Sequence, residues 1–259
     1  MGKLRQWAKA LGSESPLQKV LFIPDTHCPY HDRRAYDLVE RVAERVRFDR
    51  CVIGGDFPDF YAVSSHSKDP GRRETFLDEV HETKKLLRRV ESWGFKELDY
   101  IEGNHENRLD RYIADKAAEL HGCINTDELL ELSDHGWRIT KYKDHTLIGK
   151  AYATHDLGKA GDNAVKDALA SYQDNVIINH THRMQYRVEG NAKGVPHVGA
   201  SFGWLGDVTK VDYMYRVRAN RDWALGFGVG YLRENGFIYL QPVPIVQYSV
   251  VVEGQLFEV

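Results

Sequence analysis

Five short segments of this 259-residue chain carry residues able to bind a metal ion together: Asp25-Thr26-His27, Gly54-Gly55-Asp56-Phe57-Pro58-Asp59, Gly103-Asn104-His105-Glu106, Thr154-His155-Asp156 and Asn179-His180-Thr181-His182. Asp and Asn oxygens with His nitrogens suit Mn²⁺, Fe or Zn²⁺, and the absence of Cys from these segments argues against a structural zinc site. In Asp25-x-His27 alternate residues of an extended segment point the same way, so both could reach one ion. His180 and His182 share that spacing and could serve two adjacent ions. Taken singly, each segment has a plain structural reading: Gly-Gly-Asp is often a turn, and Asn-His can cap a helix. Their regular placement removes that reading, because each follows a short apolar run.

Those runs define the elements that must position the chemistry. Val20–Ile23, Cys51–Ile53 and Val176–Ile178 are short continuous apolar stretches, the pattern of strands buried on both faces, and Leu98, Tyr100 and Ile101 mark a further strand. Between them apolar residues recur at helical spacing: Leu38, Val39, Val42, Ala43 and Val46; then Phe76, Val80, Thr83, Leu87 and Val90; then Leu109, Tyr112, Ile113 and Ala117. Strand alternating with helix implies right-handed crossovers and a largely parallel sheet. In the second half, 138–143 and 146–154 read as strands around a turn at Asp144, and 164–172 as a helix. Asn235-Gly236, read as a turn with both residues at positive φ, marks a hairpin between 225–232 and 237–240, and 246–252 closes the chain as a strand. The expected architecture is a four-layer αββα sandwich: two mixed sheets face to face, helices outside, and a dinuclear metal site at the strand C-terminal edges, where open α/β sheets bind ligands. Residues 1–18 read as an arm and 19–259 as one domain.

The ordered set of motifs resembles the calcineurin-like metallophosphoesterase superfamily, whose pattern is Asp-x-His, Gly-Asp-x-x-Asp, Gly-Asn-His-Asp/Glu, a lone His and Gly-His-x-His. The resemblance runs from about Val20 to at least His182, and THDLGKAGDNA and HVGASFGWLGD look most like phage and prophage members. One departure is Asn179, where the family has Gly; a shifted loop with intact ligands is expected. The resemblance implies that Asp25, His27 and His182 hold one divalent transition ion and Asn104, His155 and His180 a second, with Asp56 between them. Mn²⁺ is the first expectation, with Fe, Zn or Ni as alternatives. His105 would assist the leaving group and Asp59 would orient it. Only Asp25 and Asp56 among those ligands are anionic, so two divalent ions with a bridging hydroxide leave net positive charge to attract phosphate. Arg108 could hold a phosphate oxygen bidentately, or form a surface ion pair.

Composition bounds the partners. With 35 Lys+Arg against 38 Asp+Glu, a formal charge of −3 excludes a globally basic nucleic-acid binder, though not a local patch. Three cysteines without a CxxC pair fit a reducing cytoplasm, that of the host if the chain is phage-encoded. No apolar run approaches membrane-span length, and the first fifteen residues lack a signal-peptide core. Lys210–Arg221 interleaves Lys210, Arg216, Arg218 and Arg221 with Tyr213 and Tyr215, beside Trp204 and Trp223, a composition suited to single-stranded nucleic acid or a nucleotide. A solvated or partner-facing loop has the same composition. Phe60 and Glu102 stand where protein phosphatases carry Arg, which disfavours that subgroup. A phosphodiesterase acting on DNA, RNA or nucleotides is therefore the leading expectation. A phosphomonoesterase is the alternative within the class, and a non-catalytic metal-binding module the alternative outside it. Of the remaining histidines, His66 could line the mouth of the site and His197 could support a ligand from behind; both also read as ordinary surface residues.

Overall fold

The computed structural model describes residues 17–190, 194–210 and 222–259. Its strands are β1 (Gln18–Ile23), β2 (Arg50–Ile53), β3 (Glu97–Ile101), β4 (Trp137–Thr140), β5 (Thr146–Ile148), β6 (Ala151–Ala153), β7 (Val176–Ile177), β8 (Met184–Glu189), β9 (His197–Phe202), β10 (Gly226–Leu232), β11 (Ile238–Pro244), β12 (Ser249–Val252) and β13 (Gln255–Glu258). The helices are α1 (Arg33–Val46), α2 (Phe76–Glu91), α3 (Asn107–Lys116), α4 (Thr126–Leu130) and α5 (Ala164–Tyr172).

Two mixed sheets result. One runs β11-β10-β1-β2-β3-β4, with β1 to β4 parallel and β10 antiparallel to β1; the other runs β5-β6-β7-β9-β8, with β6, β7 and β9 parallel. The pleat sorts side chains by layer. Leu21 and Ile23 of β1, with Cys51 and Ile53 of β2, face α1 and α2. Val20, Phe22 and Val52 face the second sheet and meet Ile148, Ala153, Ile177 and Phe202. The Phe22 and Phe202 rings lie 5.0 Å apart across that inter-sheet core. Tyr152 turns the other way, onto α5 with Val165 and Leu169. The order of layers is therefore helix, sheet, sheet, helix, as the apolar pattern predicts. Caps fix the helix starts: Asp32 accepts from Ala35 N, and Thr75 with Asp78 forms a capping box at α2.

Three sequence expectations need correction. The segments on either side of Asp144 do not pair: β4 adds parallel to β3 in the first sheet, whereas β5 pairs with β6 in the second. Gly149, at φ +63°, breaks 146–154 into that hairpin. At Asn235-Gly236 only Gly236 has positive φ, and Asn235 instead accepts from Phe237 N through its side chain. The closing strand also starts later, at Ser249, because Gln247 and Tyr248 (φ +51° and +56°) turn the chain, and it pairs through Glu253-Gly254 with β13 as a separate hairpin. Among the described residues, no helix is long and apolar enough to cross a membrane.

Candidate metal centre

The five motif segments leave the C-terminal ends of β1, β2, β3, β6 and β7, so both sheets deliver side chains to one edge. Each chain must turn sharply there. His27, Asp56, His180 and His182 all adopt left-handed φ, between +49° and +65°. Such conformations cost roughly 1–3 kcal/mol for a non-glycine residue and persist only where surrounding contacts dictate them.

Those contacts are hydrogen bonds between the turns. Thr26 N and His27 N both donate to Asp56 O (3.0 and 2.9 Å), and His105 N donates to Asp56 Oδ1 (2.8 Å). Glu106 is buried beneath them. Its Oε1 accepts from Phe57 N (3.1 Å) and the Tyr100 hydroxyl (2.7 Å), and its Oε2 from Asp56 N (3.0 Å) and Gly103 N (2.8 Å). One carboxylate thus welds the β2 and β3 turns together. Gly103 must lack a side chain, because a Cβ there would stand 2.2 Å from Asp56 Oδ1. Sequence reasoning used Glu106 only as a motif letter; its place beside His105 was the available signal.

The predicted ligands converge. Asp25, His27 and His182 bring ligand atoms within 4.8 Å of one another, as do Asp56, His155 and His180. His27 Nε2 and His182 Nε2 face each other at 3.1 Å, with Asp25 Oδ2 3.0 Å from the latter. His155 donates from Nδ1 to Gly54 O (2.8 Å), which aims its Nε2 at Asn104 Oδ1 (3.1 Å) and Asp56 Oδ2 (3.4 Å). A backbone partner on one ring nitrogen is how proteins orient a metal-binding imidazole. Asn179 donates to the same carbonyl at 3.1 Å and its own N–H donates to His155 O at 2.9 Å, so the departure from Gly serves as a strut behind His155.

The donor set fits cations. His180 Nδ1 and His182 Nδ1 are buried without a hydrogen-bond partner among the described residues. Burial would raise the Asp25 and Asp56 carboxyls, but neighbouring imidazoles outweigh it: a hydrogen bond from His182 for Asp25, and the charges of His105 and His155 for Asp56. Both stay below the usual carboxylate range. His155, despite burial, is pushed up to about 10 by the Asp56 carboxylate.

His105, Asp59 and Arg108 form one cluster beside these groups. Asp59 Oδ2 lies 3.2 Å from His27 Nδ1 and 3.4 Å from His105 Nδ1. Arg108 is neither a surface ion pair nor an unengaged anion clamp: its side chain is 13% exposed and is held by Asp59 and His105. His105 also groups with His27 and Asp56, but its Nε2 already accepts from the Arg108 guanidinium at 2.8 Å. Of the other expected participants, His66 lines a groove at the mouth of the site. His197 begins β9, at the end of the strand remote from the ligand edge. Trp204, read from sequence as a stacking surface, is buried and stacks on His182 (ring centroids 4.8 Å apart, 15° between planes). Arg216 and Arg218 lie outside the described residues.

The chain is thus an αββα protein with buried Asp/His clusters at one sheet edge that could hold metal ions. In motif order and layer order it is similar to the calcineurin-like metallophosphoesterases. No family model matches the chain. The gene 54 proteins of Mycobacterium phages L5 and D29 are each 24% identical to it, over 93% of this chain and 99% of theirs. Similar solved structures include vacuolar protein sorting 29 from Cryptosporidium parvum (TM-score 0.46, 13% identity, 93% of this chain and 95% of that one). Pseudomonas putida nuclease MPE is another (TM-score 0.34, 13% identity, 86% and 87% covered).

Proposed function

We propose that this protein is a metal-dependent phosphodiesterase acting on nucleic acid or nucleotides in a reducing cytoplasm. The observation that carries the reading is the convergence of Asp25, His27 and His182 with Asp56, His155 and His180 at one sheet edge, beside an engaged Asp59–His105–Arg108 cluster. Asp25, His27 and His182 hold one ion in this assignment and Asn104, His155 and His180 the other, with Asp56 shared and Mn²⁺ preferred. When bound, such a pair supplies Lewis acidity toward a phosphoryl oxygen and an activated water.

The chain's own groups do the rest. Asp59 keeps a proton on His105 Nδ1, and Arg108 and His105 Nε2 converge on one point. An anionic oxygen arriving there takes the guanidinium's hydrogen bond and favours uptake of a proton from solvent at Nε2, which the ring then gives to the departing alkoxide. The basic-aromatic composition of 210–221 supports a nucleotide-containing substrate, with Arg216 and Arg218 as further phosphate contacts.

The test is hydrolysis of bis(p-nitrophenyl) phosphate, p-nitrophenyl phosphate and single- and double-stranded oligonucleotides by Mn²⁺-loaded and chelated protein. Diester cleavage that chelation abolishes is expected. Faster cleavage of the monoester would make the protein a phosphomonoesterase, and no turnover with two equivalents of metal bound would leave a binding module. Arg216→Ala with Arg218→Ala should lower oligonucleotide cleavage while sparing the small ester.

A further inference from the structure

A groove of about 320 Å³ opens beside Asn104 and runs along one face of α3. Arg108, Arg111, Tyr112, Asp115 and Lys116 line it, spaced i, i+3, i+4, i+7 and i+8, while Leu109 and Ile113 turn inward to the core. Ser64, Ser65 and His66 form the opposite wall. Arg108 is bound to Asp59 and His105, but Arg111 and Lys116 have no ion-pair partner among the described residues. The Tyr112 side chain is 45% exposed, with no ring stacked on it among the described residues. At 1.5 Å per residue, Arg108 to Lys116 spans about 12 Å, the length of roughly three or four nucleotides of a stacked strand at 3.4 Å each.

We propose that this groove is the track for a single nucleic-acid strand, with Arg111 and Lys116 on phosphates about two nucleotides apart and a base stacked on Tyr112. The proposal rests on the phosphodiester reading of the adjoining centre. A small phosphomonoester would need charge only at Arg108, whereas cations one and two turns further along α3, flanking Asp115, offer contacts to a ligand with further phosphates. The volume is that of a small-ligand pocket, which suits one strand better than a duplex.

The test uses the full Mn²⁺-loaded chain and a fluorescein-labelled, phosphorothioate-linked oligothymidylate, which keeps its charge and resists cleavage. Fluorescence anisotropy is read against salt. The pair Arg111→Ala and Lys116→Ala should weaken binding at least tenfold and flatten the log K against log salt slope by about 1.4, two single-strand phosphate contacts at 0.7 each. Tyr112→Ala should weaken it about fivefold or more with the slope unchanged. Hydrolysis of bis(p-nitrophenyl) phosphate should stay at the wild-type rate in both variants. Unchanged affinity and slope would overturn the track, as would tighter binding of duplex or equal competition by thymidine monophosphate. Wild type that hydrolyses no phosphate ester, yet binds the strand through Arg111 and Lys116, would overturn the functional reading and leave the track standing.

Discussion

Nη2 of Arg108 lies 2.8 Å from Nε2 of His105. A guanidinium only donates, so His105 in this state accepts at Nε2 and carries its proton on Nδ1, toward Asp59. Burial first, and the Arg108 charge second, push the His105 imidazolium down to about 4. The other guanidinium nitrogen holds Asp59 through its carbonyl (2.8 Å) and Oδ1 (3.0 Å), so one side chain fixes both members of the pair.

Arg108→Lys keeps the charge but cannot span both partners. It should lower kcat by tenfold or more with bound metal unchanged, and ¹⁵N spectra should show His105 losing its single tautomer. A wild-type spectrum and rate would remove Arg108 from the cluster.

Asp56→Asn and His105→Ala should fail differently. The first takes an anionic oxygen from between the two ligand groups and should lower metal content together with rate. The second should leave metal content intact while kcat falls about 10²–10⁴-fold, least on esters with good leaving groups. Elemental analysis alongside nitrophenyl-ester kinetics separates them, and equal metal loss would contradict the assignment.

Glu106→Gln places an amide donor against the backbone N–H groups that Glu106 now accepts. The expected cost is about 1–3 kcal/mol of stability, read by urea denaturation, because a buried donor is left unsatisfied. Metal affinity should also drop, since the Asp56 turn loses its tie to β3.

Glu79 of α2 provides a pH signature away from the ligands. It is fully buried, its Oε1 accepts from Ala62 N at 2.9 Å, and its Oε2 has no hydrogen-bond partner among the described residues. Burial, aided by the Asp59 charge, pushes its carboxyl up to about 7. The folded state therefore holds a proton that the unfolded chain releases near 4.5. This stabilisation is fully present below that pH and is lost as pH rises toward 7. Glu79→Gln should leave stability near pH 4 little changed and raise it at pH 8, by about 1–3 kcal/mol at 1.4 kcal/mol per pH unit. Parallel denaturation curves for both proteins across that range would refute it.

The helix–sheet–sheet–helix order and the identity of the ligand segments are both legible in the chain, for a local reason. Buried strands such as Val20–Ile23 must be apolar on both faces, and polar residues immediately after them must sit at a sheet edge. What Arg108 does was not legible, because its partner Asp59 lies 49 residues away and only the packing of two turns brings them together. The same holds for Glu106, whose four hydrogen bonds join β2 to β3, and for Trp204, whose composition is that of a stacking surface while its burial makes it a floor for His182. Pairing of β4 with β3 instead of β5 was likewise a choice between two sheets, decided by which core buries Trp137 and which buries Ile148. Periodicity reports which face of an element is apolar; which other element covers that face is set only when the whole chain closes on itself.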